Sequence, residues 1–452
     1  MMQQENMIQD IAAAVHQLGG RALLVGGCVR DGLLGIPCYD IDCEVHGVAP
    51  DKLRSLLARF GYIDESGEKY GIFTIRGAGI DIALPRMETR TGPGHKDFVV
   101  VTDPDLPPER AAMRRDFTVN AIMRDALTGE YVDPFGGIND LKNGVLRAVP
   151  GDKFEEDPLR VLRGAQFAAR FHLTPEEDTL FAMRRMPLCH LSGPRVMAEM
   201  KKALLHSDAP DVFFRVLWQA GALTPWFKEL DSLRGVPQNP VYHPEGDAFE
   251  HTMLVLREAA ALRARAKDPL LLMLAALTHD LGKAVTTKKN DKGNWQSIGH
   301  ETAGMPLAES LLSRLGVGKQ TIALCKNLCK LHMRVHNCFS GGARETRTHL
   351  LFDECMDPDM LALLCIADAR GKGGSLEKAE REEAFILGRL RAYREAAARE
   401  MPTGQMFLTA GAKPGPQMKT MIREARRRTL LGMDAREAVR AEIRENERKK
   451  SV

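Results

Sequence analysis

The 452-residue sequence has no surplus of either charge: 63 Lys and Arg face 60 Asp and Glu, a formal net charge of +3. No overall polycation is available to attract nucleic acid, so any such contact rests on local basic clusters. Among the nine cysteines there is no C-x-x-C pair, and Cys325 and Cys329 are spaced for one helix face, not for a zinc knuckle. An odd, scattered set of thiols fits a reducing compartment. No uninterrupted apolar run approaches the ~20 residues needed to span a bilayer. The opening MMQQENMIQDIAAAV has neither the basic segment nor the long apolar run of a secretion signal. These absences predict a soluble, cytoplasmic protein with no membrane partner. Hydrophobic content of 44% and charged content of 27% exclude a disordered or fibrous chain. A single core is excluded by length, and three or four domains are expected.

What is present changes character along the chain. Up to about residue 145, ALLVGG, DIDCEVHG, GIFTIRG and GIDIALPR read as strands, with a helix at VRDGLLG. From about Phe154 the pattern turns helical, as in PLRVLRGAQFAARF and VMAEMKKALLH. LRGVPQNPVYHPEGD, rich in Pro and Gly, reads as a linker near residue 240. A second helical block runs to about 400, and TAGAKPGPQ precedes a basic terminal helix. Between Lys419 and Val452, 11 Lys or Arg stand against 6 Asp or Glu, which suits either a solvated face or RNA contact. The expected domains are 1–145, 146–237, 238–400 and 401–452.

The densest chemistry lies in LVGGCVRDGLLGIPCYDIDCEVHG, residues 24–47. Alternate strand residues share a side, so Asp40 and Asp42 can present both carboxylates together. Two such carboxylates repel unless a cation sits between them, and magnesium, which takes oxygen ligands and phosphates, suits them. Gly26 and Gly27 fall between strand and helix, where bare backbone N–H groups can approach a phosphate.

The order GG-x-VRD-x-LLG then D-x-D resembles the polymerase-beta-like superfamily, in its branch of class II tRNA nucleotidyltransferases and bacterial poly(A) polymerases. RRDFTVNAI (114–122), DPFGGINDLKNGVLRAV, EEDPLRVLRGAQFAARF (155–171) and PRVMAEMKKAL follow in the family's order. The resemblance implies an α+β nucleotidyltransferase head with a mixed sheet, an all-α neck and a basic helical tail. It implies Asp40 and Asp42 as magnesium ligands, joined by Asp81 on a neighbouring strand. Arg30 and Asp31 would support the glycine turn and the phosphates, and Arg115 and Asp116 the ribose. Asp157 and Arg160, three apart, are expected on one helix face, reading the edge of the incoming base. A carboxylate accepts from the exocyclic amine of C or A, whereas U and G present a carbonyl there. Arg163 would add a further charge; Gln166 stands where many relatives carry Arg, so one supporting charge is expected to be missing. The acidic run common before RRDFT in the family is here PERAAM. The segment from Arg86 to Arg110, containing TGPGHKDF, is expected to be a mobile loop of the kind associated with adding the terminal A.

A second constellation comprises FEHTMLVL, THDLGK and IADARG, which supply His251, His279, Asp280 and Asp368. The order resembles the HD phosphohydrolase superfamily, and HPEGDAFEHT resembles the version attached to nucleotidyltransferases. It implies an α-helical domain with a divalent metal of unspecified identity, His300 and His332 being further ligands or phosphate contacts. Phosphatase and 2′,3′-cyclic phosphodiesterase activities accompany such domains in the family. The expected function is untemplated addition of C and A from CTP and ATP to the 3′ end of tRNA. CC-only, A-only and poly(A) addition share the same motifs. A metal phosphohydrolase with an RNA-binding head is the reading from another class.

Overall fold

The computed structural model describes residues 2–38, 40–64, 71–90 and 98–450. They divide into two compact units. One runs to Ala203 and includes Val212–Pro225; the other holds Leu204–Asp211 and the chain from Trp226 onward. Among the described residues no helix is long and apolar enough to cross a membrane.

The first unit opens with α1 (Met2–Gln17), β1 (Arg21–Val25), α2 (Gly27–Leu33), β2 (Ile41–His46), α3 (Pro50–Leu57), β3 (Ile63–Asp64), β4 (Ile72–Ile75) and β5 (Ile80–Ala83). Strands β6 (Arg86–Arg90) and β7 (Phe98–Thr102) precede α4 (Pro108–Ala112), β8 (Met123–Asp125), β9 (Tyr131–Val132) and α5 (Gly137–Lys142). Seven strands form one sheet in the order β3-β4-β5-β2-β1-β8-β9. Only β2 and β5 run parallel, which makes it the mixed sheet expected.

Alternation decides which face carries the chemistry. Cys43 and Val45 on β2, and Ile80 and Ile82 on β5, are fully buried in one core with Ile11 and Val15 of α1 and Leu53 and Leu57 of α3. Successive strand side chains point to opposite sides, so Asp42 and Asp81 project from the other face. A one-residue slip would turn the apolar set outward, at about 1.5–3 kcal/mol per large side chain. The core therefore aims the carboxylates.

The segment from Arg86 to Arg110 departs from expectation. It is framed by paired strands, with Arg86 opposite Thr102 and Met87 opposite Val101, followed by α4. The β-branched run FVVVT is a strand former that attention to the Gly and Pro content passes over. The residues TGPGHKD within it lie outside the described residues.

The neck consists of α6 (Leu159–Phe171), α7 (Glu177–Arg184), α8 (Gly193–His206) and α9 (Asp211–Gln219). The second unit continues through α10 (Lys228–Asp231), α11 (Ala248–Leu262), α12 (Pro269–Thr278), α13 (Lys283–Thr286), α14 (His300–Arg314), α15 (Lys319–Ser340), α16 (Glu345–Glu354), α17 (Pro358–Arg370) and α18 (Leu376–Ala397). Beyond it, α19 (Gly404–Thr409), α20 (Met418–Leu430) and α21 (Ala435–Lys450) replace the single basic helix expected. They close on their own small core of Phe407, Met421, Ala425, Ala438 and Val439. Part of the basic excess is internal: Arg426 pairs with Asp353 at 2.8 Å, and Arg428 with Glu442 and Glu445 at 2.6 Å each.

One buried arginine ties head to neck. Arg30 on α2 donates Nη1 to Asn120 Oδ1 at 2.5 Å, and Nε and Nη2 to Asp31 Oδ1 at 2.9 and 2.6 Å. Its guanidinium lies 4.2 Å from the ring centroid of Phe171 at the end of α6. Replacing it by alanine leaves Asp31 and Asn120 without their donor. We expect Arg30→Ala to cost about 3–5 kcal/mol, the scale of a broken buried pair. Urea unfolding followed by circular dichroism measures this, and a loss below about 1 kcal/mol would mean that Arg30 does not tie the two together.

Candidate functional site

In the head, Asp42 and Asp81 occupy paired positions on the parallel strands β2 and β5. Thr74, opposite Asp81 on β4, donates its hydroxyl to Asp81 Oδ1 at 2.6 Å. Asp40 is exposed immediately before β2. Burial raises the Asp42 carboxyl above its ordinary value, and the Asp81 and Asp40 charges push it the same way against the pull of Arg115. A cation at these carboxylates relieves that repulsion, so the donor set fits a hard divalent ion. Their ligand atoms are not drawn together within 4.8 Å of one another, which leaves a more open site than the second one below.

Gly26, at φ +72°, makes the turn from β1 into α2. A Cβ there would lie 3.2 Å from Arg115 Nη1 and 3.8 Å from Asp42 Oδ2, so glycine lets both groups close on the turn. Gly27 begins α2, and a Cβ on it would lie 3.6 Å from Arg30 Nη2. Asp116 is buried among protein donors. Its Oδ1 accepts from the Phe117 N–H and Asn120 Nδ2 at 2.9 Å each, and its Oδ2 from Arg163 Nε at 2.7 Å. Burial would raise its pKa, but Arg163 and Asn120 hold it below the usual carboxylate range. Asp116 and Arg163 thus extend the Arg30–Asn120 chain and support the site from behind.

The expected base-reading pair needs correcting. Asp157 is not on the helix: its backbone is extended (φ −125°, ψ 107°), and its Oδ1 accepts from the Leu159 N–H at 3.0 Å. A residue before proline is disfavoured in α conformation, and Pro158 follows it. Arg160 sits in the first turn of α6, its guanidinium donating to the carbonyls of Lys153 (2.6 Å) and Arg114 (2.7 Å). Asp157 and Arg160 are therefore neighbours across a helix start, not on one helical face. Arg195, not singled out in the sequence, lies 3.5 Å from Asp157 Oδ2. Gln166 is 1% exposed, so the missing charge falls in the neck interior. Glu44 was also passed over; Arg114 Nη2 lies 2.6 Å from one oxygen and His46 Nε2 3.2 Å from the other. Despite burial, these partners hold Glu44 at a pKa of about 2.

The second site is assembled by helices. PLLLMLAALT on α12 is apolar all round and buried on every side. Asp268 caps it, accepting from the Leu271 N–H at 3.0 Å, and Pro269 opens it. His279 and Asp280, just past its end, are thereby set deep among their neighbours. His251 comes from α11, His300 from the start of α14, His332 from α15 and Asp368 from α17, all buried. Groups of three ligand atoms lying within 4.8 Å of one another among the described residues are His251, His279 and Asp280; His279, His332 and Asp368; Asp280, His300 and His332; and, outside the expected set, His243, Glu245 and His251. All six expected residues thus share one cluster.

Hydrogen bonds fix which nitrogen faces inward. Nδ1 of His279, His300 and His332 meets the carbonyls of Ala276, Ser297 and Cys329 at 2.8, 2.6 and 2.6 Å. Nδ1 of His251 meets Glu245 Oε1 at 2.8 Å. Those oxygens only accept, so each Nδ1 carries hydrogen and a neutral ring turns a lone pair inward at Nε2. All four Nε2 atoms are buried without a hydrogen-bond partner among the described residues. Burial pushes His332 down to about 4, which keeps its lone pair at neutral pH. His251 and His300, though burial pulls them down, are held above the ordinary imidazole value by Asp368 and Asp280, the carboxylates that a bound cation would neutralise instead. Lone pairs facing carboxylates repel unless a cation intervenes, and N and O donors of this kind fit a divalent metal.

Sequence reasoning missed the surroundings. Glu245 and His243, 2.8 Å apart, lie in the segment expected to be a linker, which here packs against the site. His336, four residues after His332 and so on the same face, pairs with Asp368 Oδ2 and Glu382 Oε1 at 2.6 Å each. Lys283 Nζ lies 2.6 Å from Asp280 and Lys372 Nζ 3.4 Å from Asp368. A cavity of about 1090 Å³ opens over the site, lined by Tyr242, Lys283, Trp295, His300, Asp368 and Lys372 among others.

Comparison with known proteins follows this division. Residues 22–147 match the model described as "Poly A polymerase head domain", 172–234 the "Probable RNA and SrmB- binding site of polymerase A", and 248–369 the "HD domain". The chain is 38% identical over 376 residues to the "Multifunctional CCA protein" of Mannheimia succiniciproducens, covering 80% of this chain and 87% of that one. It is 40% identical over 372 residues to the protein of that name in Xanthomonas campestris pv. campestris, covering 79% and 86%. In fold it is similar to the Bacillus stearothermophilus CCA-adding enzyme in complex with CTP, with TM-score 0.66, 18% identity and full coverage of both chains. The Thermotoga maritima CCA-adding enzyme complexed with tRNA gives TM-score 0.65 at 19% identity, over 97% of this chain and 95% of that one.

Gly282 offers a test of the second site. A Cβ there would lie 2.0 Å from the His300 carbonyl oxygen and 2.6 Å from the Gly304 N, both backbone. We expect Gly282→Ala to push α14 away and carry His300 from Asp280, with loss of divalent-metal binding measured by equilibrium dialysis. Gly304→Ala, whose nearest contact would be 3.1 Å, is expected to be milder.

Proposed function

We propose that this chain, which belongs to the family of multifunctional CCA proteins, adds C and A from CTP and ATP to the 3′ end of tRNA without a nucleic-acid template. The observation that carries this reading is the open-face pairing of Asp42 with Asp81, beside a glycine turn and Arg115. The tRNA 3′-oxygen attacks the α-phosphorus of the nucleotide, its proton is lost, and pyrophosphate leaves. Held by Asp40, Asp42 and Asp81, magnesium ions would supply a more acidic 3′-hydroxyl and neutralisation of the triphosphate. Gly26 and Gly27 leave backbone N–H groups open to phosphate, and Arg115 adds a positive charge beside them. Arg30, Asp31, Asp116 and Arg163 hold that arrangement in place.

Asp157 and Arg160 would read the base. Its flanking proline fixes Asp157 at the helix start, and two backbone carbonyls pin the Arg160 guanidinium. A carboxylate acceptor beside guanidinium donors accepts C and A and refuses U and G, a discrimination of roughly 1–3 kcal/mol by analogy with duplex readout. We divide the chain accordingly into head (1–145), neck (146–237), HD domain (238–400) and tail (401–452), and place it in the cytoplasm. The HD domain would hydrolyse phosphate esters with a bound divalent metal, whose ligands would be His251, His279, Asp280, Asp368, His300 and His332. Its cavity and inward-facing lone pairs support that second activity.

Incubation with tRNA lacking its CCA end and single nucleotides tests the main reading. We expect incorporation from CTP first, from ATP only after two C residues, and none from UTP or GTP; long A tails on unrelated RNA would overturn it. Asp42→Ala should lower addition by roughly 100- to 1,000-fold or more, the scale of losing one preorganised electrostatic group. Asp280→Ala should leave addition intact and abolish phosphate-ester hydrolysis.

The tail yields a separate expectation. Arg436, Arg440, Arg444 and Arg448 recur every fourth residue along α21, are exposed, and have no ion-pair partner among the described residues. They step along the helix by about 6 Å, as a face for RNA phosphates requires. Arg440→Glu with Arg444→Glu should weaken tRNA binding and flatten its salt dependence by roughly one slope unit for each phosphate no longer engaged, read by fluorescence anisotropy across a salt series.

A further inference from the structure

Between Asp280 and His300 the chain makes a detour that packing does not require. After α13, Lys288–Lys289 and Trp295–Gln296 form a two-stranded antiparallel hairpin, with Lys289 opposite Trp295 and Lys288 opposite Gln296. None of residues 287–298 is buried, so the hairpin adds nothing to the hydrophobic core. A lone hairpin is at best marginally stable in water, yet this one is fastened at both ends. At its base the Thr287 and Ser297 hydroxyls lie 2.7 Å apart. At its tip Asn290 Oδ1 accepts from the Lys292 and Asn294 N–H groups at 3.0 Å each. What it presents is basic and aromatic. Lys288, Lys289 and Lys292 are exposed with no ion-pair partner among the described residues, and Lys289 Nζ lies 5.0 Å from the Trp295 ring centroid. Directly opposed strand residues share a face, so Trp295 and this cation lie on the same side of the hairpin. Trp295 lines the cavity over the HD site. The same cavity is lined by Lys283 and Lys372 beside the expected metal, and by Tyr242, which is 61% exposed and has Lys378 Nζ 5.9 Å from its ring centroid.

We propose that this hairpin grips single-stranded RNA, so that the HD site works on the phosphorylated end of an RNA strand in preference to a free nucleotide. The terminal phosphate meets Lys283 and Lys372, an unstacked base lies on Trp295 or Tyr242, and phosphates farther along the strand are met by Lys289 and Lys292. A basic track for the backbone with aromatic rings for the bases is how single strands are held without regard to sequence. Cavity size fits the same partner, since about 1090 Å³ exceeds the roughly 300–1,000 Å³ of small-molecule sites. A double helix keeps its bases stacked and out of reach of Trp295. Three lysines at the contact argue against a protein partner, because lysine is depleted at protein interfaces. In the hydrolysis itself, water adds to the terminal phosphorus and the bond to the ribose oxygen breaks. A proton passes from the water to that oxygen, leaving a hydroxyl end and free phosphate.

This inference rests on the reading of the HD domain as a phosphohydrolase, and two measurements separate them. In the first, the full chain is stripped of metal, so that nothing is hydrolysed, and irradiated with a single-stranded RNA hexamer carrying 4-thiouridine and a 3′-phosphate. Cross-linked peptides are identified by mass spectrometry. Cross-links within residues 288–298 are expected; cross-links confined to the rest of the chain overturn the proposal. In the second, Mn²⁺ is supplied and phosphate release from the hexamer is compared with release from a 3′-phosphorylated mononucleoside. The hexamer should show a KM about tenfold lower, the gain of roughly one further stacked base, and equal KM values overturn the grip. Trp295→Ala should raise the hexamer KM by roughly 5- to 150-fold, the worth of one stacked base, with the loss in KM and not in kcat. Trp295→Phe should restore most of it. Lys289→Glu with Lys292→Glu should narrow the hexamer's advantage and flatten its salt dependence by about 0.7 slope unit for each phosphate released. An unchanged hexamer KM in both the tryptophan and the lysine variants overturns the proposal. No phosphate release from either substrate overturns the phosphohydrolase reading, and the cross-links then decide whether the hairpin binds RNA.

Discussion

A buried carboxylate without a compensating charge costs several kcal/mol, and this constraint organises both halves of the molecule. In the head it is met in two ways. Glu44 and Asp116 are supplied with arginines, and each is held as an anion by Arg114 or Arg163. Asp42 and Asp81 are left facing each other on the open side of the sheet, with Arg115 as only a partial counterweight. The first kind of carboxylate builds the scaffold, and the second is left open for the cation proposed to act there. In the HD domain Asp280 and Asp368 stay ionised despite burial, beside Lys283, Lys372 and His336. The orphaned nitrogens around them mark where compensation by protein groups stops.

Much of the head was legible because a strand reports its two faces separately. The buried pair Cys43 and Val45 and the buried pair Ile80 and Ile82 leave Asp42 and Asp81 nowhere to point but outward. The register that sets them side by side depends on sheet order, which no single strand encodes. The order of His251, His279, Asp280 and Asp368 was likewise readable, but their convergence needs four helices packed together.

What was misread had local causes. The three-residue spacing of Asp157 and Arg160 suggested a shared helix face, yet the intervening proline already argued against it. Glu245 was hidden in a Pro- and Gly-rich stretch that reads as a connector, although the same composition lets a chain fold tightly over a site. Glu382 and Lys372 carry no local signal; they matter because the chain returns after α17 to cover His336 and Asp368. The share of the tail's charge that is free was not legible either. Composition counts charges, but Arg426 and Arg428 have their acids within the folded protein.

Three of the inward-facing histidines are held through Nδ1 by the carbonyl three residues earlier in their own chain. Each latch is short-range and forms as soon as its local backbone does. The rotameric and tautomeric freedom of these rings is therefore given up within the protein's own hydrogen bonds, with no ion present. Loading then requires little rearrangement of the protein, and its rate should be governed by how readily the incoming ion sheds water. Ions that exchange their hydration shells quickly would occupy this cage first, whatever the order of their final affinities.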